Sequence, residues 1–147
     1  MRNSIRNASR GVIFVDEKLL LIKYRDRDGE FYVCVGGGQK AGENMLENLR
    51  RECLEEIDCK VEIGEFLFTR ETKFIIEENG EEIHQIEHYF SCSLADGEQI
   101  REGDTPDLTA DGFVLVTLDE LKKLRVFPSR LPELIENGFS ERYICEI

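Results

Sequence analysis

Between Val35 and Cys59 the chain reads VGGGQKAGENMLENLRRECLEEIDC, and Glu43, Glu47, Glu52, Glu55 and Glu56 crowd into fourteen positions of it. From Asn44 to Ile57 the apolar residues Leu46, Leu49, Cys53 and Ile57 recur at helical spacing, which makes one stripe for a core. Glu52, Glu55 and Glu56 lie away from that stripe. Carboxylates at i and i+4 repel by a few tenths of a kcal/mol per pair, so folding alone gives no reason to collect them. A hard divalent cation does give one, because Mg²⁺ seeks oxygen ligands and keeps waters that leave room for a phosphate. Glu52 and Glu56 are offset by only about 40° around a helix and Glu55 by about 60° to the other side, so the three can line one groove. The competing reading is a solvated acidic helix face, which is what most charge runs are.

The elements that would position this groove follow from the pattern on either side. The runs 11–16 and 19–25 are β-rich and split by a short turn, which predicts a hairpin. A strand at 31–35 then runs straight into Gly36, Gly37 and Gly38. After the helix come strands at 65–76 and 83–94, joined through Asn79-Gly80, a strong hairpin turn signal. In the second of these Ile86, His88, Phe90, Cys92 and Leu94 share one face, and Gln85, Glu87, Tyr89, Ser91 and Ser93 share the other. Residues 95–111 are acidic and read as a loop whose length hints at function. A strand at 113–118, a short helix at 119–124 and a helix at 129–137 closed by Gly138 complete the order, with a tail of unassigned structure. Strands dominate and do not alternate regularly with helices. The expected class is therefore α+β, a mixed sheet between helices, in a single domain over residues 1–147.

Composition removes several classes of function. A net charge of −12 over 147 residues argues against a nucleic acid polymer as partner, since that mode needs a basic footprint. It leaves room for a small phosphorylated molecule bridged by metal. No apolar run approaches the length of a membrane span, so no membrane partner is expected. The polar first residues carry no apolar signal segment, which favours the cytoplasm. The five cysteines form an odd set without CxxC and read as reduced fillers. A homodimer stays open.

Gly37, Glu43, Arg51, Glu52, Glu55 and Glu56 resemble the Nudix box, G-x5-E-x7-R-E-U-x-E-E-x-G-U, in which U is a bulky apolar residue. That is strong for a short motif. Three positions depart from the pattern: Asp58 stands where its last Gly is, and Cys53 and Cys59 fill U positions. Val35 also replaces a proline common before the glycines. Asp tolerates the left-handed backbone expected just past a helix, so no loss of chemistry follows. The order of elements over about residues 10–138 also agrees, although only the box is specific. The resemblance implies the Nudix α/β/α sandwich and hydrolysis of a phosphoanhydride in a nucleoside diphosphate linked to another moiety, with Mg²⁺ or Mn²⁺. It implies Glu52, Glu55 and Glu56 as catalytic metal ligands together with a backbone carbonyl of Gly36 or Gly37. The alternative on the same fold is a nucleotide-sensing module that does not cleave its ligand.

Within the box Glu43 and Arg51 read as structural, Glu43 in the first helical turn and Arg51 pairing with Glu47 or Glu55. Outside it Glu87 is a candidate catalytic base, as are Glu98, Glu102 and Asp107 in the acidic loop, with solvent exposure the plainer reading for each. Arg25, Lys40 and Arg70 are candidate phosphate contacts, again against surface solvation. His84 and His88 are four apart on a strand, where that spacing does not converge on a metal, and His88 reads as near-core. Tyr32, Phe68 and Tyr89 are candidates for stacking on a base.

Overall fold

Asp16 and Glu17, with positive φ of 51° and 66°, turn β1 (Ile5–Val15) back into β2 (Lys18–Asp26) and set Val15 opposite Lys18. A consecutive left-handed pair matches the twist of a tight hairpin. The expected hairpin is present in this computed structural model, which describes residues 4–100 and 110–147. Its first strand starts earlier than the apolar pattern, at Ile5, because residues 5–10 pair along their length with β6 (Glu82–Leu94).

The strand expected at 31–35 is split. β3 (Gly29–Val33) pairs antiparallel with β2, whereas β4 (Val35–Gly38) crosses to β1 and sets Gly36 opposite Arg10. α1 (Met45–Ile57) follows, then β5 (Val61–Ile75), antiparallel to β6. Gly80 at φ 71° closes their turn, as Asn79-Gly80 signalled. β7 (Ala110–Val116) pairs with β2, and α2 (Leu118–Leu121), β8 (Val126–Phe127) and α3 (Leu131–Glu136) come next. The unassigned tail contains β9 (Tyr143–Glu146), parallel to β5. Among the described residues the strand order is β8-β3-β2-β1-β6-β5-β9, mixed in direction, with β4 on β1 and β7 on β2.

Helices cover both faces, as an α/β/α sandwich requires. Leu49, Cys53 and Ile57 of α1 are fully buried against Ile13, Leu20 and Ile22. Leu121 of α2 and Leu131 and Leu134 of α3 pack with Val12, Leu21, Phe68 and Tyr89 on the other face. Each such aliphatic stabilises the fold by about 1.5–3 kcal/mol relative to exposure. Leu46 is 37% exposed and does not join the stripe expected of it. Cys34, Cys53, Cys59 and Cys92 are buried free thiols and Cys145 is an exposed one. No helix among the described residues is long and apolar enough to cross a membrane.

Candidate functional site

α1 begins at a capping box. The Asn44 side chain accepts from the Glu47 N–H at 2.8 Å, and Glu47 accepts from the Asn44 N–H at 2.9 Å. Two donors that would be orphaned at the helix start are thereby satisfied. Glu43 precedes the cap and is not in the first helical turn. It reaches along the helix to Arg51, whose Nη2 and Nε donate to it at 2.7 and 3.1 Å. These bonds, with the Lys40 N–H, hold the Glu43 carboxyl at about 2. Arg51 also donates to Glu52 (3.3 Å), Glu55 (3.2 Å) and the Gly38 carbonyl (3.0 Å). Of its two expected partners Glu55 is one, whereas Glu47 serves the cap. The far end of α1 closes at Asp58 in a left-handed conformation, φ 51°, with its N–H on the Leu54 carbonyl. That is the cap its place in the box predicted.

Glu52, Glu55 and Glu56 share one face of α1, against β4. A Cβ on Gly37 would lie 2.5 Å from Glu52 Oε1, so only glycine lets that carboxylate in. A Cβ on Gly36 would lie 2.0 Å from the Ser9 carbonyl, and its φ of 143° favours glycine independently. The Gly36 N–H donates to Glu56 Oε1 at 2.9 Å, and Tyr24 donates its hydroxyl to Glu56 Oε2 at 3.5 Å. Burial raises the Glu52 carboxyl and neighbouring Glu55 raises it further, against Arg51. Arg10 opposes the rise as Arg51 does. Oxygen donors alone fit a hard divalent cation, and Glu52, Glu55 and Glu56 are the residues that could hold it. Here their oxygens turn to Arg51, the Gly36 N–H and Tyr24, and no three ligating side chains among the described residues converge on one point.

Glu87 and Arg70 are not solvated as the sequence suggested. Glu87 is 2% exposed and lies between two guanidiniums, accepting from Arg10 Nε (2.9 Å) and Arg70 Nη1 (2.7 Å), with Gln85 and Tyr89 donating as well. Burial would raise its carboxyl, but Arg10 and Arg70 overcome this and hold it at about 2. Arg70 pairs in addition with Glu146 of β9, so it is engaged on both sides and offers no ready phosphate contact. Arg10 donates onward to the carbonyls of Cys34 (3.2 Å) and Gly36 (3.0 Å), which occupies one of the two carbonyls expected to bind metal.

The other candidates scatter. Arg25 is exposed and paired with Glu30, and strand alternation puts it on the face opposite Tyr24 and the carboxylates. Lys40 is exposed in the loop before α1. Phe68 and Tyr89 stack on each other at 4.2 Å in the core, 0% and 1% exposed, so neither can receive a base. Tyr32 packs against the same core. His88 meets Thr69 at 3.0 Å, its pKa lowered by burial, and His84 pairs with Glu71. Glu98 sits half-buried beyond β6, and Glu102 and Asp107 lie outside the described residues. A shallow cavity of about 300 Å³ at Gly64 and Ser91 includes none of the box carboxylates.

Sequence reasoning missed Arg10 and Tyr24. Arg10 had a signal: a charge set between Ala8-Ser9 and the run Gly11–Val15 needs a buried partner. Tyr24 shares strand parity with the core residues Leu20 and Ile22.

The model for the NUDIX domain matches residues 5–137. Among solved structures, a NUDIX hydrolase from Nitrosomonas europaea is 18% identical with a TM-score of 0.69, over 96% of this chain and 93% of that one. The MutT protein from Methanosarcina mazei Go1 is 11% identical, TM-score 0.68, over 96% and 99% of the two chains. An ADP-ribose pyrophosphatase from Streptococcus suis is 19% identical, TM-score 0.60, over 95% and 96%. At these identities the likeness is one of fold. No curated protein matches.

Proposed function

The chain belongs to the Nudix family of pyrophosphohydrolases, and from that premise we propose that it is a metal-dependent hydrolase of a phosphoanhydride in a nucleoside diphosphate derivative. The observation that carries this reading is the gathering of Glu52, Glu55 and Glu56 on one face of α1, where Gly37 leaves room for Glu52 and the Gly36 N–H holds Glu56.

Such an anhydride resists water because the nucleophile must approach an anion and the leaving phosphate gains charge. A divalent cation held by Glu52, Glu55 and Glu56 would supply charge neutralisation and an activated water. The residues of the chain prepare for it. The Gly36 N–H fixes one oxygen of Glu56. The bare Cα of Gly37 admits Glu52. Arg51, anchored by Glu43 and the Gly38 carbonyl, orients Glu52 and Glu55. Without a cation the same trio would repel an anionic substrate.

The free thiols suit a reducing compartment, the cytoplasm, and the net charge of −12 suits a small phosphorylated partner rather than a nucleic acid polymer. Chromatographic detection of the phosphorylated products from nucleoside triphosphates, ADP-ribose, nucleotide sugars and dinucleoside polyphosphates, with Mg²⁺ and with chelator, tests the proposal. Turnover on one class, abolished by chelation, is expected. Binding without turnover across the whole panel would instead mark a sensing module.

A further inference from the structure

Arg10 reaches from the buried Glu87 to the glycines of β4. Its Nε donates to Glu87 at 2.9 Å, while its Nη1 donates to the carbonyls of Cys34 at 3.2 Å and of Gly36 at 3.0 Å. Cys34 is the residue at which the chain leaves β3, paired with β2, for β4, paired with β1. One guanidinium therefore holds the backbone on both sides of Val35, just past that crossing.

The peptide between those two carbonyls is the one that carries the Gly36 N–H, which donates to Glu56 Oε1 at 2.9 Å. Its direction depends on the dihedrals of Val35 and Gly36, and glycine by itself restricts them least. Gly36 stands opposite Arg10 in the ladder, so close that a Cβ on it would lie 2.8 Å from Arg10 Cα. Balancing Glu87 would need only the Nε contact. Arg70 makes an equivalent contact at 2.7 Å from the other side and has Glu146 as its second partner, with no hydrogen bond to β4 among the described residues. Burial would lower the Arg10 guanidinium, but Glu87 first, and Glu56 among others, hold it above the ordinary arginine value.

We infer that Arg10 is a positioning residue of the hydrolytic centre: by clamping the Cys34 and Gly36 carbonyls to Glu87, it aims the Gly36 N–H that keeps Glu56 in place for the cation. The inference rests on the reading of Glu52, Glu55 and Glu56 as that centre. Arg10 acts through the backbone, with Gly36 as the intermediary. A carboxylate already held loses less rotamer freedom on binding metal, and groups that orient a ligand from behind change metal affinity by about 10–100-fold when removed.

Arg10→Lys and Arg70→Lys test this, because each leaves a positive charge beside Glu87. Only the first removes the fork that spans Glu87 and two carbonyls, since an ammonium gathers its donors on one atom. Calorimetric titration with Mn²⁺, the metal-free melting temperature and, without metal, the Gly36 amide proton resonance are measured on the full chain and both variants. Arg10→Lys should lose affinity by about tenfold or more, and its Gly36 amide proton should move upfield as the bond to Glu56 loosens. Arg70→Lys should match the full chain in both, even where it melts lower. A Gly36 amide that stays in place in Arg10→Lys, or equal losses of affinity in the two variants, overturns the inference while the hydrolytic reading stands. So does affinity in Arg10→Lys that equals or exceeds that of the full chain, the latter being expected if Arg10 only competes with the cation for the Gly36 carbonyl. No metal uptake by the full chain overturns both readings. If Arg10→Lys does not fold, Mg²⁺ titration of the full chain carries the test. The Arg10 Nε–H resonance should then move together with the Gly36 amide while that of Arg70 stays, and an Arg10 resonance as indifferent to Mg²⁺ as that of Arg70 overturns the inference.

Discussion

Gly36 joins two charge clusters built in opposite ways. Its carbonyl accepts from Arg10, which belongs with Glu87, Arg70 and Glu146 to a buried network in which each carboxylate has a guanidinium. Its N–H donates to Glu56, whose neighbours Glu52 and Glu55 share Arg51 with Glu43. In the first cluster a buried carboxyl is held at about 2, and in the second Glu52 is raised. A cluster that completes its own charges supports the fold. The second gathers carboxylate oxygens on one helix face, the donor type that the proposed cation would take.

The difference can be broken from the balanced side with the largest effect on stability. Glu87→Gln should cost about 3–5 kcal/mol in urea unfolding at pH 7, the scale of removing one partner from a buried ion pair. The folded-state pKa of Glu87 is depressed from 4.5 to about 2, so its stabilisation is present above the unfolded value and lost as pH falls through the folded one. The gap between the full chain and Glu87→Gln should therefore narrow between about pH 4.5 and 2. A gap constant down to pH 2 would mean that the charge of Glu87 does not matter to folding.

Next comes chemistry on the carboxylate side. Glu52→Gln and Glu56→Gln should each cut turnover by about 100-fold or more, since an amide is a poor ligand for a hard cation. Steady-state rates at saturating Mg²⁺ read this directly, and activity in either variant equal to that of the full chain would rule out the assigned role. The smallest effect is expected at the cap. Asp58→Gly should change stability by about 1 kcal/mol or less and leave turnover within a few-fold, because the αL position it occupies suits glycine. Thermal melts and rates on that variant check it.

How legible each cluster was follows from the distance over which its partners pair. Glu52, Glu55, Glu56 and Arg51 lie within one helix, so periodicity and spacing were enough to group them, whereas the reach of Glu43 from before the cap to Arg51 was not foreseen. Glu87 and Arg70 were legible as residues but not as a pair with Arg10, since β1 meets β6 in parallel across 77 positions. The alternation that made the Glu87 face look polar is that of a buried face whose polar groups satisfy one another. β9 was hidden because four residues carry too little pattern, yet it supplies Glu146.

The central claim is that the α1 carboxylates are gathered for metal rather than for the fold. Calorimetric titration of Mg²⁺ and Mn²⁺, with metal-free melting, on the full chain, Glu47→Gln and Glu56→Gln tests it most directly. Glu47 is on the same helix but engaged in the cap, where Gln also serves, so Glu47→Gln should retain metal affinity. Glu56→Gln should lose it at least tenfold and melt, without metal, at the same temperature or higher. Equal metal affinity in the two variants, or a lower metal-free melting temperature in Glu56→Gln with affinity intact, would contradict the account.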